Sequence, residues 1–300
     1  MKSKPFDIQR RVVAHKTSES WDTIPHVGIV IDLDVTAVRA LVEKLRITSE
    51  YSDVRLTINS VMLKLIAESI KNAPDMNAYI EYNRRNNVGN IHYRDQIDIA
   101  MPMMTPAQRM ITPVLRDVGG KSLREVCEAM EALARRANNT NIDLLLYEAA
   151  LKDTWQRLRK GHLFTVLRRL WANFASTQRV ALPSRHEREQ YYKIPETNRL
   201  VADDLLESSF LVTNIGSLMP GLRCHVALME IIPPAVAAFG LAGVQKQAVV
   251  RTKENGEHEF VVRDMMPFTC YGDHRALDFV HGAGFLKTLL HLCEHPEELL

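Results

Sequence analysis

Near the end of the chain, Asp273-His274-Arg275-Ala276-Leu277-Asp278 sets an aspartate four residues after a histidine, just past a segment that reads as a strand. An imidazole titrates near neutrality, so a histidine held there can take a proton from a thiol or an alcohol. A carboxylate close by can fix its surroundings or pair with a cation such as Arg275. By itself H-x-x-x-D is a weak signal, and a strand-end histidine is more often a satisfied polar residue. Other groupings carry less. His291 and His295 flank Cys293 at a spacing that suits zinc, but no third ligand is well placed and Pro296 ends the segment, so no metal is expected. Cys224 and His225 are adjacent, and adjacent side chains point apart, which makes a loop the better reading than a nucleophile with its base. Gly119-Gly120 is a turn before a helix and not a phosphate-binding loop.

The elements that must position these residues follow from hydrophobic period and capping. Residues 26–32 (HVGIVID) are rich in β-branched side chains and predict a strand. Asp34 looks like the N-cap of a helix running to about Arg46, with Val38, Leu41, Val42 and Leu45 at helical spacing. A second amphipathic helix is predicted over 57–73, stopped near Pro74, and strands over 97–101 and 110–115 lie around a turn at Pro106. Ser122 and Glu125 form an S-x-x-E capping box for a helix reaching about Arg136. Residues 138–207 are helical and arginine-rich, and read as an insertion between two halves of one α/β domain. Strands resume over 209–213, 235–241, 247–251 and 259–263, the last two joined across Asn255-Gly256, a strong hairpin signal. A final strand over 266–271 delivers the His274 motif, and an apolar helix over 279–293 follows until His295-Pro296 stops it.

Bulk properties bound the functional classes. The 300 residues are 46% hydrophobic and 25% charged, which is ordinary globular material. A formal net charge of +2 gives no electrostatic case for a nucleic-acid partner. Cys127, Cys224, Cys270 and Cys293 form no C-x-x-C pair and suit reduced thiols in a cytoplasm. There is no apolar stretch of about 20 residues and no apolar core of a signal peptide, so a cytoplasmic location is expected.

The full context of the histidine is far more specific than the histidine alone. Gly272 through Asp278, then Phe285-Leu286 and a terminal Pro296-Glu297-Glu298-Leu299-Leu300, resembles the catalytic domain of dihydrolipoamide acyltransferases. These are the core subunits of 2-oxoacid dehydrogenase complexes, related to chloramphenicol acetyltransferase, with the signature D-H-R-x-x-D-G, a helix carrying F-L, and a P-x-x-L-L ending. Further segments agree in order: Ile24-Pro25-His26-Val27, Asp34-Val35-Thr36, Asp75-Met76-Asn77-Ala78, Ile97-Asp98-Ile99-Ala100 with Thr112 to Asp117 and Lys121-Ser122-Leu123, and Phe210 to Ser217.

The resemblance implies one α/β domain of the chloramphenicol-acetyltransferase-like type over 1–300, with a mixed β-sheet, flanking helices and a helical insertion at about 138–207. It implies acyl transfer between CoA, or another thioester, and a thiol such as dihydrolipoamide or another acceptor. No bound cofactor is implied; acyl-CoA or a lipoamide thioester is the cosubstrate. Carried over, His274 is the general base, the hydroxyl of Thr213 stabilises the oxyanion, and Asp278 supports the geometry. Ser217 is a second hydroxyl that a turn explains better, and Arg84-Arg85 could meet CoA phosphates or simply form a solvated loop. The relatives are trimers with the site at a subunit interface, so a homotrimer is implied. The alternative is a catalytically inactive trimeric scaffold or interaction subunit of the same fold.

Three departures bear on substrate. Phe279 replaces the glycine of the signature, with the expectation of a shifted helix or a narrowed acyl channel. No lipoyl or subunit-binding domain is found in the sequence, so a stand-alone catalytic domain is expected. Residues 162–174 (HLFTVLRRLWANF) are amphipathic and cationic, and allow peripheral membrane contact, although packing on the domain is the better expectation.

Overall fold

The computed structural model describes residues 5–159, 167, 183–219 and 221–300. The stretch 162–174, apart from Leu167, lies outside the described residues, as does much of the expected insertion. A seven-stranded mixed sheet has the order β1 (His26–Asp34), β11 (His258–Asp273), β9 (Ala237–Leu241), β8 (Phe210–Asn214), β4 (Ile99–Ala100) and β7 (Val114–Leu115), with β10 (Gln245–Thr252) paired to β11. The β4–β8 and β8–β9 pairs are parallel, and every other pair in this sheet is antiparallel. This is the α/β class with a mixed sheet that the sequence implied.

One face of the sheet is covered by helices. In α2 (Thr36–Arg46) the buried residues Val38, Leu41, Val42 and Leu45 repeat at helical spacing, so one stripe faces inward. The central α3 (Ile58–Ile70) is buried almost all round, from Val61 to Ile70, because it lies among other helices as well as on the sheet. It starts at Thr57, whose hydroxyl accepts from the Ser60 N–H in a capping box. The helix α4 (Leu123–Asn138) starts at the Ser122–Glu125 capping box, as its sequence predicts. Phe210, Phe239, Phe268 and Phe285 form a chain of rings at centroid separations of 5.0–6.1 Å, in which Phe285 pins the last helix, α7 (Phe279–Glu294), to β9 and β11. Truncating any of these fully buried rings to alanine costs about 3–5 kcal/mol. The opposite face carries a smaller cluster, in which Val226, Met229 and Ile231 pack with Ala238 and Tyr271.

Several expectations need correction. The predicted strands 259–263 and 266–271 are one strand, β11, of 16 residues. Residues 97–101 and 110–115 form only short pairs: β4, β5 (Met103–Met104), β6 (Met110–Ile111) and β7. Asp34 is not the N-cap of α2; Val35 occupies that position, and the Asp34 carboxylate accepts from the Thr36 N–H at 3.0 Å. Two elements had no prediction: an N-terminal helix, α1 (Ile8–Thr23), and a hairpin of β2 (Ala78–Asn83) with β3 (Val88–Tyr93). Between α4 and β8 the described chain is helical, with α5 (Ile142–Arg159), α6 (Arg185–Tyr192) and short 3-10 turns. Among the described residues, no helix is long and apolar enough to cross a membrane.

Candidate active site

His274 follows the last residue of β11 and is held by its own turn. The backbone N–H of Asp273 donates to Val236 O and that of His274 to Pro25 O, while Ala276 and Leu277 N–H both return to Asp273 O. The Asp273 side chain is completely buried, and its carboxylate accepts from Arg275 Nε at 2.9 Å, Arg275 Nη2 at 2.5 Å and the Arg275 backbone N–H at 3.0 Å. A planar guanidinium on a carboxylate in this forked manner fixes both partners, so the Asp-His-Arg run is a rigid clasp. Gly272 leaves room for it: a Cβ there would lie 3.2 Å from Leu277, the apolar residue that plugs the turn.

The clasp also determines the tautomer of His274. Its Nδ1 lies 3.0 Å from Leu277 O, and a carbonyl oxygen can only accept, so Nδ1 carries the proton. Nε2 is therefore the unprotonated nitrogen, which a general base requires. Asp278 Oδ1 stands 3.4 Å from the same Nδ1, too long for a second strong hydrogen bond. The His274 side chain is 47% exposed, so in one chain the reactive edge lies at the surface and not in a cavity. Cys270, four residues before His274, offers no competing nucleophile: burial pushes its thiol up to about 12.

Thr213 sits near the end of β8, partly buried, on the sheet face away from the helices, since its neighbours Phe210 and Val212 belong to the helical core. Its hydroxyl has no hydrogen-bond partner among the described residues. Thr213 is level with Gly240 on β9, and Gly240 with Thr269 on β11. His274 therefore lies two strands across and five residues along from Thr213. At about 4.8 Å per strand and 3.3 Å per residue, that is a separation of about 19 Å. One chain brings His274 and Asp278 together and keeps Thr213 apart from both.

The remaining sequence candidates resolve individually. Phe279 opens α7 directly after Asp278, with no left-handed backbone and with 58% of its surface exposed. Ser217 is a turn residue: its hydroxyl donates to Asn214 O at 2.8 Å. His225 Nε2 contacts Asp32 at 2.9 Å, and Cys224 is a partly buried free thiol. His291 and His295 face Glu298 and Glu297, and no group of three or more possible ligands is arranged for a metal among the described residues. Arg84 and Arg85 are exposed in the β2–β3 turn, and that hairpin is tied to the His274 turn where Arg275 lies 5.6 Å over the Tyr82 ring.

One support was not apparent as such in the sequence. Buried Asp98 receives Arg94 Nη2 at 2.8 Å, Arg116 Nη1 at 3.2 Å and the Asp117 N–H at 2.8 Å. Its backbone exchanges bonds with Ser209, and Arg116 caps the carbonyls of Asp203, Leu206 and Glu207. This hub sets where β8 begins, and so where Thr213 emerges. The signal was present in the paired I-D-I-A and R-D segments, but only the fold shows that they meet.

Known proteins resemble this chain in sequence and in fold. The family model described as 2-oxoacid dehydrogenases acyltransferase (catalytic domain) matches residues 1–145 and 185–300. The chain is 22% identical over 300 residues to the dihydrolipoyllysine-residue acetyltransferase component of the pyruvate dehydrogenase complex of Rhizobium meliloti, covering 99% of this chain and 51% of that protein. It is 24% identical over 250 residues to the succinyltransferase component of the 2-oxoglutarate dehydrogenase complex of Haemophilus influenzae, covering 82% of this chain and 42% of that one. The chain thus spans about half the length of the curated relatives it matches. Among solved structures, the dihydrolipoamide acetyltransferase of Azotobacter vinelandii shares the fold at a TM-score of 0.66 and 19% identity, covering 100% of this chain and 93% of that chain. That enzyme was investigated for the roles of a serine, a histidine and an asparagine in its catalytic mechanism.

Proposed function

From the premise that this chain belongs to the family of 2-oxoacid dehydrogenase acyltransferase catalytic domains, we propose that it moves an acyl group between a CoA thioester and a thiol, with dihydrolipoamide the leading acceptor. His274 Nε2 takes the acceptor's thiol proton, and the thiolate attacks the thioester carbonyl. A carbon–sulfur bond forms, and the carbonyl electrons move to oxygen, where the Thr213 hydroxyl donates to the oxyanion. Collapse breaks the original carbon–sulfur bond, and the departing thiolate recovers the proton from His274. The observation that carries this reading is the fixed tautomer: Nδ1 is committed to Leu277 O, so Nε2 is always the basic nitrogen.

The about 19 Å between Thr213 and His274 in one chain supports a site shared between copies, with the base from one subunit and the hydroxyl from its neighbour. A homotrimer with three such sites is the assembly proposed. In the Azotobacter vinelandii protein the histidine and asparagine named for its mechanism are four residues apart, as His274 and Asp278 are here, and the proposal gives the role of its serine to Thr213. The proposed activity is tested by incubating the protein with a panel of acyl-CoAs and dihydrolipoamide. Turnover that His274→Ala abolishes supports the reading, and no turnover across the panel would favour the inactive scaffold.

A further inference from the structure

We propose that His281 is a positioning residue of this active site, holding Asp278 against His274 through the start of α7; the inference deepens the acyl-transfer reading and rests on it. Asp278 is the N-cap of α7, a position where an aspartate ordinarily spends its carboxylate on the N–H groups of the first helical turn. Here the carboxylate makes no such cap bond and instead stands 3.4 Å from His274 Nδ1. The work of ordering the helix start passes to His281. Its Nδ1 accepts the Asp278 backbone N–H at 2.9 Å, and its own N–H donates to Asp278 O at 3.0 Å. These reciprocal bonds close the turn on both sides of Asp278. An accepting Nδ1 must be unprotonated, so the His281 ring carries its proton on Nε2.

The effect is a relay of position with no proton transferred along it. Phe285 is fully buried among Phe239 and Phe268 and fixes α7 to the sheet. His281, one turn nearer the start of the helix, fixes the backbone of Asp278. Asp278 then presents its carboxylate to the imidazole that Leu277 O has already oriented. The side chain of Asp278 is 68% exposed and is otherwise free to turn into water, so the restraint has to come from its backbone.

The experiment compares His281→Ala with His281→Gln, because glutamine at the third helical position reaches back to the N-cap N–H in an ordinary capping box. His281→Ala should lower kcat about 3–10-fold with KM unchanged, matching Asp278→Ala, and His281→Gln should recover most of that loss. A crystal structure of His281→Ala should show Asp278 Oδ1 withdrawn from His274 Nδ1 by more than 1 Å. Retention of the 3.4 Å separation overturns the proposal whatever the kinetics show. So does a His281→Ala enzyme with wild-type kcat, or a glutamine variant no better than alanine. If turnover survives in His274→Ala, the acyl-transfer reading fails first; if His274→Ala is dead and His281→Ala is normal, only the role of His281 fails.

Discussion

Asp273→Asn is the substitution that most strains this account, because it changes one oxygen for an NH2 group and leaves the side chain's shape intact. The Asp273 carboxylate is fully buried and takes three donors from Arg275, at 2.9 Å, 2.5 Å and 3.0 Å. An asparagine must turn its amide nitrogen toward a guanidinium that has only donors, so one arm of the fork becomes a donor–donor contact. Breaking a fully buried pair from one side costs 3–5 kcal/mol, and Arg275 keeps 22% of its side-chain surface, so about 3 kcal/mol is expected. For a chain of 300 residues that is a fall in Tm of about 5 °C, readable by calorimetry. The catalytic effect follows from position: the turn that carries His274 and Leu277 O loses its clasp, and a displacement of about 1 Å at a base costs about 100-fold in kcat. Turnover is measured at 25 °C, well below melting, so that unfolded protein does not contribute. Wild-type Tm and kcat would refute the clasp. A lowered Tm with normal kcat would show that Asp273 and Arg275 hold the fold without positioning the base.

Two further predictions concern buried charge and thiols. Burial pushes the Glu68 carboxyl up, but hydrogen bonds from Lys64 and Lys71 and their charges outweigh this and hold it below its ordinary value. A depressed carboxylate contributes stability that is present above about pH 4.5 and lost as the pH falls below it. Glu68→Gln, which leaves the nearly buried Lys64 with only neutral acceptors such as Val118 O and Gly119 O, should therefore cost about 2 kcal/mol at pH 7 by urea unfolding and flatten the loss of stability below pH 4.5; an unchanged unfolding midpoint at pH 7 counts against it. Burial pushes the Cys270 and Cys293 thiols up to about 12, so iodoacetamide at pH 8 should label Cys224 first and reach those two only on unfolding. Equal labelling rates in the native state, read by mass spectrometry, would show that the β11 and α7 core is open.

What the sequence could reveal depended on whether a segment has an inward face. The helices α2, α4 and α7 and the core strands carry apolar stripes or capping boxes, and their positions were legible. The β2–β3 hairpin exposes all six residues of β3, so no alternation marks it. The sequence of α1 is polar on most sides, with only Ile8 and Ser20 buried, and gives no stripe to read. The gap between the strands expected over 259–263 and 266–271 falls at Asp264-Met265, just after Arg263, where adjacent charges interrupt the apolar pattern. The strand continues because Asp264 is satisfied by Arg39 at 3.2 Å and Lys246 at 3.4 Å. Within the site, the motif identified His274 and Asp278 as neighbours. The distance between Thr213 and His274 is a property of sheet order, β8-β9-β11, which no local pattern encodes. Nor does spacing alone distinguish Asp278, which faces the imidazole, from His281, which takes over its capping work.

The claim on which the rest depends is that the base and the oxyanion donor come from different copies, and mixing two inactive variants tests it most directly. His274→Ala and Thr213→Val are each expected to be nearly inactive, the second by about 100-fold, as for loss of one oxyanion donor. When equal amounts are unfolded together and refolded into mixed trimers, a complete site forms wherever a chain with intact His274 meets a neighbour with intact Thr213. Random assembly gives that arrangement at about one site in four, so about 25% of wild-type turnover should return, against almost none when each variant is refolded alone. If each site lay within one chain, no mixture could restore it, and a refolded mixture as inactive as its two parents would contradict the account.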